Sequence, residues 1–192
     1  MTKYYKILNE KENHRDFQYK TGLNVDTVPF NPSGKCQPGG LYFSEVKDIF
    51  VYLDYGPYIR EVVLPNDAKV YKEPCGTKLK ADRIILKERE EWCSLKVFKR
   101  LVEEGANIHA EGDCALRCAS QNGHLDVVKF LVSKGADIHS VGDGALRYAS
   151  QNGCLGVVKF LVSKGADIHA YNDCALRYGT PKVKEYLKSL EK

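Results

Sequence analysis

Apolar side chains in the second half of the chain recur at three- and four-residue spacings, the pattern of helices that bury one face. One predicted helix carries Leu116 and Ala119 on such a stripe, and the next carries Leu125, Val128 and Leu131. An Asn-Gly turn separates the two helices. A single pair of short helices cannot bury both stripes, so each pair needs a neighbour. The pattern therefore predicts helical pairs stacked on one another.

The same helical unit is written twice in succession. Residues 113–139 read DCALRCASQNGHLDVVKFLVSKGADIH and residues 143–169 read DGALRYASQNGCLGVVKFLVSKGADIH, a period of 30 residues. Similar but incomplete copies occur before and after them. We therefore expect residues 88–192 to form an all-α solenoid of two full and two partial repeats, closed by a C-terminal capping helix.

The first 87 residues follow a different pattern, in which short aromatic and β-branched runs alternate with turns. These runs predict strands at residues 4–8, 17–23, 41–43, 58–64, 69–71 and 83–86. A helix is expected from Ser44 to Leu53, with Ser44 as its cap and an apolar face formed by Val46, Ile49, Phe50 and Leu53. Residues 1–87 are thus predicted to be a small α+β domain of unknown function.

Composition and charge narrow the functional classes. Hydrophobic residues make up 43% and charged residues 28%, which is typical of a globular protein. The net charge of +4 is spread over both halves, so a nucleic-acid partner is not favoured. The N-terminus lacks the apolar core of a signal peptide, and we expect an intracellular protein without a membrane partner. The seven cysteines form no CxxC pair, and no metal or cofactor site is expected.

The glycine-rich loop from Asn31 to Gly40 allows a second, N-terminal site. Glycines and free backbone N–H groups can hold an anion. The phosphate-loop pattern fails here because Pro29 replaces its first glycine and Cys36 replaces its Ser/Thr. A plain connecting loop is the favoured interpretation. The alternative is a nucleotide site formed by Lys35, Gly39, Gly40 and Tyr42.

The segment GLYFS from Gly40 to Ser44, followed by a predicted helix, resembles the middle motif of ADP-ribosyltransferases. The resemblance implies that the Tyr42 ring would stack on nicotinamide. It also implies partners on an earlier and a later strand, for which the nominal candidates are His14, Arg15, Glu61 and Glu73. The preferred interpretation from the residues alone is that Leu41 and Phe43 are core residues beside an exposed Tyr42.

The segment NGHLDVVKFLVSKGADIH resembles ankyrin repeats, with its glycine turn, Val-Val helix and Gly-Ala-Asp exit. The shortened period and the Ala-Leu-Arg tripeptide are most similar to the repeats of amoeba-infecting giant DNA viruses, and NPSGKCQPGGLYF and YGPYIREVVLP resemble a module that precedes such arrays. The resemblance implies a protein-binding scaffold acting in the host cytoplasm. Two departures are a period below the usual 33 residues and the loss of the Thr-Pro-Leu-His opening.

Three residue types recur at fixed repeat positions and have structural explanations. We expect the aspartates to cap the first helix of each repeat, and the arginines to pair with these aspartates. The histidines are interpreted as hydrogen-bonded loop residues, since stacked repeats lie too far apart to share a metal ion. The residues concerned are Asp113, Asp143 and Asp173; Arg117, Arg147 and Arg177; and His109, His139 and His169.

Positions that differ between the repeats are the candidates for binding a partner. They are Glu111, Val141 and Tyr171 before the aspartates, and Cys118, Tyr148 and Tyr178 on the first helices. The tyrosines are favoured because this residue is enriched at interface centres, and neutral drift is the alternative. No catalytic constellation is recognised. The predicted function is non-enzymatic binding of a host or viral protein, with self-association and an N-terminal nucleotide-binding or ADP-ribosyltransferase-like activity left as alternatives.

Overall fold

The computed structural model describes residues 2–34, 36–74 and 76–191. The chain divides into two compact units, Met1–Asn107 and Ile108–Lys192. The first is rich in strands and the second is helical. A domain boundary was predicted after residue 87, whereas the first compact unit continues to Asn107 and includes the first helix.

The first unit is built on an antiparallel sheet of short strands. Its strands are β1 (Tyr4–Leu8), β4 (Gly22–Val25), β5 (Leu41–Glu45), β6 (Tyr58–Val63), β7 (Val70–Lys72), β8 (Lys78–Ala81), β9 (Arg83–Leu86) and β10 (Glu90–Glu91). The order is β4-β9-β6-β1-β5-β8-β7, and β10 pairs with β6. A separate hairpin joins β2 (Asn13–His14) to β3 (Phe17–Gln18). Most predicted strands are confirmed, but the run 17–23 is interrupted, and β2, β8 and β10 were not predicted.

A 3₁₀ helix, Val46–Tyr55, connects β5 to β6 and lies where a helix was expected. Its predicted apolar face is confirmed, because Val46, Ile49, Phe50 and Leu53 are all buried. The prediction that Ser44 caps this helix was wrong. Ser44 belongs to β5, where it pairs with Tyr5 of β1 and Lys78 of β8. Its backbone is therefore part of the sheet and does not begin the helix.

The helix α1 (Leu95–Glu103) completes the core of the first unit. The rings of Phe98 on α1 and Phe50 on the 3₁₀ helix stack with centroids 4.5 Å apart. Trp92 contacts Phe98 edge-on, and its indole N–H donates to the carbonyl of Gly56 at 2.8 Å. Because buried aromatic surface is a large part of the folding free energy, α1 is an integral part of this unit.

The second unit consists of successive helical pairs. Its helices are α2 (Ala110–Gln121), α3 (Leu125–Ser133), α4 (Ser140–Gln151), α5 (Leu155–Ser163), α6 (Ala170–Tyr178) and α7 (Pro181–Ser189). The first helices of neighbouring pairs pack together, as do the second helices. The predicted stripes are confirmed at Leu116, Ala119, Val128 and Leu131, which are fully buried, whereas Leu125 is only partly buried. Within the described residues, no helix has both the length and the apolar content to cross a membrane.

Each first helix begins with a left-handed turn of three residues. The φ angles are 49°, 61° and 53° at Glu111–Asp113, and 54°, 60° and 51° at Val141–Asp143. Tyr171–Asp173 adopt the same conformation. Left-handed backbone costs roughly 1–2 kcal/mol for a residue with a side chain. Val141 is the least expected of these residues because it is β-branched, so other contacts must stabilise the turn.

Candidate functional site

The aspartates of the first two left-handed turns connect the start of a repeat to the segment that follows its second helix. Asp113 Oδ1 accepts a hydrogen bond from the backbone N–H of Asp137 at 3.1 Å and lies 3.0 Å from Nδ1 of His109. Asp143 makes the equivalent bond to Asp167, at 2.9 Å. The prediction that these aspartates cap their own helices was wrong. Asp113 is itself left-handed, whereas a capping residue is extended, and its carboxylate bonds the backbone that follows the second helix of the pair instead.

The arginines stabilise the turn through its carbonyl groups. Arg117 donates from Nη1 to the carbonyls of Glu111, at 3.0 Å, and Gly112. Arg147 donates from Nη2 to the carbonyl of Val141 and from Nε to that of Gly142, each at 3.0 Å. The expected pairing of these arginines with the aspartates was wrong, because the guanidinium donors are used by the turn.

Two of the divergent residues, Val141 and Tyr171, lie over the glycine of the preceding turn. A methyl group at Gly112 would lie 3.0 Å from Cγ2 of Val141, and one at Gly142 would lie 3.6 Å from Cδ2 of Tyr171. Each of these side chains therefore covers the glycine of the preceding repeat. Val141 is nevertheless 55% exposed and Tyr171 is 69% exposed. The turns thus present a row of side chains to solvent.

Arg147 connects this row to the first helices. Its Cζ atom lies 4.3 Å from the ring centroid of Tyr171 and 5.7 Å from that of Tyr148. A cation over an aromatic face contributes about 0.5–1 kcal/mol at an exposed site. We name Val141, Arg147, Tyr148 and Tyr171 the turn patch. It combines apolar, aromatic and cationic groups on a backbone held by hydrogen bonds.

The other predicted partner residues lie in different environments. Glu111 is exposed at the start of its turn. Tyr178 is 60% exposed at the end of α6, beside its own Arg177. Cys118 is only 4% exposed, and its Sγ lies 3.6 Å from that of Cys114. A buried thiol offers no surface to a partner, so Cys118 is excluded from the candidate surface.

The first unit contains a cavity of about 340 Å³ between β1 and β5. The two strands pair only where Tyr4 faces Glu45 and Tyr5 faces Ser44. Beyond these pairs the strands separate, and the cavity lies in the gap. Lys6 spans it, because its Nζ donates to the carbonyl of Tyr42 at 2.7 Å.

Tyr42, His14 and Arg15 all line this cavity, which brings together three residues proposed from the sequence. Gly39 and Gly40 are not part of its lining. Their loop is held internally, since the N–H of Gly40 donates to Asp26 at 2.6 Å. Lys35 lies outside the described residues. A role for this loop in binding an anion stays a prediction.

The glutamates named as partners of Tyr42 do not line the cavity. Glu73 accepts a hydrogen bond from the N–H of Cys36 at 2.7 Å, and Glu61 pairs with Lys87 at 2.8 Å. Burial, followed by the charge of Glu73, raises the pKa of Tyr42 to about 12. Tyr42 is therefore neutral at physiological pH. Its hydroxyl donates to the carbonyl of Gln37 at 2.9 Å, and its aromatic ring lines the cavity.

Positive charge dominates the electrostatics of the cavity. Burial, assisted by the charge of Lys78, lowers the pKa of Lys6 to about 7. Burial also lowers the pKa of His14, and the charges of Lys6 and Arg15 act in the same direction. The sequence did not identify Lys6, although a lysine inside the apolar strand YYKIL was an available signal.

Comparison with known proteins places the second half of the chain in an established family. A family model described as Ankyrin repeats (3 copies) matches residues 91–172. Uncharacterized protein R869 of Acanthamoeba polyphaga mimivirus is 44% identical over 129 residues, which cover 65% of this chain and 93% of that protein.

Two further relatives come from the same virus and are named for their repeats. Putative ankyrin repeat protein R868 is 37% identical over 129 residues, covering 65% of this chain and 63% of the relative. Putative ankyrin repeat protein R229 is 37% identical over 135 residues, covering 63% of this chain and 44% of the relative. This chain therefore spans most of the first relative and a smaller share of the others. It belongs to the ankyrin-repeat family represented in mimivirus.

Proposed function

We propose that this chain is an intracellular, non-enzymatic interaction module whose repeats bind a host or viral protein through the turn patch. Ankyrin repeats in general are protein-interaction modules. The observation that carries the proposal is the exposure of Val141, on a turn that Arg147 holds in place, and of Tyr171, whose ring Arg147 contacts.

The composition of the turn patch supports a protein partner. Tyrosine and arginine are enriched among the residues that contribute most to binding energy at interfaces. Tyr171 and Arg147 already contact each other, so little side-chain freedom remains to be lost on binding. The strained turn supports the same conclusion, because left-handed backbone in residues with side chains concentrates at functional positions.

The experiment compares three forms of the full chain as baits in Acanthamoeba extracts. The patch variant carries Val141→Ser, Tyr148→Ser and Tyr171→Ser. The control variant carries Leu190→Ser, which changes an exposed apolar residue of the same unit outside the patch. Far-UV circular dichroism and thermal melting establish that all three are folded.

A partner captured by the wild-type chain is then purified and its Kd measured. We expect the patch variant to bind at least about tenfold more weakly, as follows from losing one or two residues of hot-spot quality. The control should bind like the wild type. Equal affinities for the wild type and a folded patch variant would contradict the proposal.

A further inference from the structure

The cavity of the first unit contains basic side chains that have no acidic partners. Four basic residues line it: Lys6, His14, Arg15 and Lys78. Across the described residues, no aspartate or glutamate lines the cavity, and none of the four forms an ion pair. Basic residues elsewhere in the same unit are commonly paired, as Arg60 is with Glu12 at 2.7 Å.

Lys6 is buried without a carboxylate to balance its charge. It is only 6% exposed, its Nζ donates to the carbonyl of Tyr42, and it lies 4.3 Å from the ring centroid of Tyr19. Burying a cation without a counter-charge is unfavourable. Arg15 and Lys78 place further positive charge in the same cavity, and a bound anion would offset this cost.

Aromatic rings form another part of the lining. Tyr42, Tyr52 and Tyr55 contribute to it, and the rings of Tyr52 and Tyr55 meet edge-on with centroids 5.9 Å apart. Nζ of Lys78 lies 5.6 Å and 5.7 Å from the centroids of these two rings. Basic and aromatic groups are therefore adjacent, which suits a ligand that has both a charge and a planar ring.

A polar group in the cavity wall also lacks a partner. Ser44 is 1% exposed, and its Oγ makes no hydrogen bond to any described residue. Buried hydroxyl groups nearly always have a partner, so an unpaired one in a cavity wall points to a polar ligand. This observation is independent of the charges.

We propose that this cavity binds a small anion carrying a planar ring, of the class of the nucleoside monophosphates. The phosphate would meet the basic residues, and the ring would lie against the tyrosines. A volume of about 340 Å³ is near the lower end of the range for small-molecule sites, which favours a mononucleotide over a larger cofactor. This site is separate from the turn patch and does not depend on its proposed function.

Isothermal titration calorimetry on the full chain tests the proposal. The ligands are the four ribonucleoside monophosphates, their nucleosides and inorganic phosphate. At least one monophosphate should bind, at least about tenfold more tightly than both its nucleoside and inorganic phosphate, because each of these lacks half of the recognised chemistry. Failure of all four monophosphates to bind at millimolar concentration overturns the proposal, as does equally tight binding of inorganic phosphate.

Three variants locate the site. Arg15→Gln and Lys78→Gln remove charges from side chains that are not fully buried, so the fold should survive. Each should weaken binding at least about fivefold by removing a charge-assisted contact. Lys72→Gln is the control, because Lys72 pairs with Glu45 on the same sheet and lies outside the cavity. Binding that is unchanged in both cavity variants, or weakened equally by the control, overturns the proposal.

Discussion

At the residue scale, Arg147 stabilises the left-handed backbone of Val141 and Gly142, a conformation that the β-branched side chain of Val141 disfavours. It donates two hydrogen bonds to carbonyls of the left-handed turn and lies against the ring of Tyr171. These carbonyls belong to Val141 and Gly142, the segment where two repeats differ most visibly. The same arginine therefore holds the turn and orients the side chains that could select a partner.

Replacing Arg147 with methionine should lower the free energy of unfolding by about 1–2 kcal/mol, since two hydrogen bonds from a charged donor are lost. Urea denaturation monitored by circular dichroism measures the change. Arg177→Met is the matched control, because Arg177 is the equivalent residue of the next repeat and contacts the ring of Tyr178. Equal losses in the two variants would contradict the stabilising role given to the two hydrogen bonds of Arg147.

Lys6 should make the stability of the chain depend on pH. Its pKa is about 7 in the folded state and ordinarily 10.5, so between these values the unfolded chain binds more protons than the folded chain. Stability should therefore rise with pH across that window. The groups facing Lys6 are Lys78, His14, Arg15 and the ring of Tyr19.

The measurement is the free energy of unfolding of the wild type and of Lys6→Met at several pH values from 7 to 10. Subtracting the variant removes the contribution of groups that both proteins share. The wild type should gain stability relative to Lys6→Met as the pH rises. A constant difference across the window would contradict the assigned environment of Lys6.

At the element scale, the spacing of apolar residues predicted most helices and strands. It could not predict elements in which charged or polar residues are buried. Strand β8 reads Lys-Leu-Lys-Ala, and its alternate lysines suggested a solvent-facing segment. Lys80 is fully buried, with Nζ 3.1 Å from the carbonyl of Ser33. The predicted run 17–23 is interrupted because the Asn24 side chain bonds both the N–H and the carbonyl of Lys20.

The left-handed turns also escaped prediction. Gly112 and Gly142 are the residues at these positions that most favour a left-handed backbone. The side chains of Glu111, Val141 and Tyr171 disfavour it. The conformation follows from tertiary hydrogen bonds, which the spacing of residues in one repeat does not reveal. The aspartates were assigned to helix caps for the same reason.

Two glycine substitutions should have opposite effects on stability, because one glycine lies in a left-handed turn and the other lies in a helix. Gly142→Ala should destabilise the chain by about 1 kcal/mol, because φ is 60° at this position. Gly156→Ala should stabilise it by about 0.5–1 kcal/mol, since Gly156 lies in α5 and an added methyl group would meet only Leu125, at 3.7 Å. Thermal and urea unfolding measure both. Changes of the same sign would contradict this description.

At the scale of the whole molecule, α1 belongs structurally to the strand-rich unit although its sequence resembles a repeat. Phe98 stacks on Phe50, the hydroxyl of Tyr5 donates to Glu104 at 2.6 Å, and the N–H of Asn107 donates to the carbonyl of Lys47 at 3.1 Å. Sequence similarity located the repeat pattern, but packing decides which unit contains the helix.

A fragment of residues 1–107 should therefore fold cooperatively, whereas a fragment of residues 1–87 should not. The shorter fragment lacks Trp92 and Phe98 and leaves Phe50 without its stacking partner. Dispersed amide resonances and a cooperative thermal transition are expected only for the longer fragment. Equal cooperativity in both fragments would show that α1 is dispensable.

The two candidate sites differ in how far the sequence could reveal them. Comparison of near-identical repeats singled out Val141, Tyr148 and Tyr171, because residues that vary on a shared framework stand out. The cavity is lined by residues of β1, β2, β5, β8 and the 3₁₀ helix, which come from distant parts of the chain. Tyr42 was recognised through a local motif, but its meeting with Lys6 and Lys78 required the folded structure.

The bond from an aspartate of the turn to the segment after the second helix has a direction. Asp113 reaches forward to Asp137, and Asp143 reaches forward to Asp167. Each copy of the 30-residue period thus carries both the acceptor and the donor of its own bond. A duplicated copy inserted in frame would bring this bond with it without compensating mutations. Such a gene can lengthen by unequal recombination, and the new copy is then free to diverge at the exposed turn.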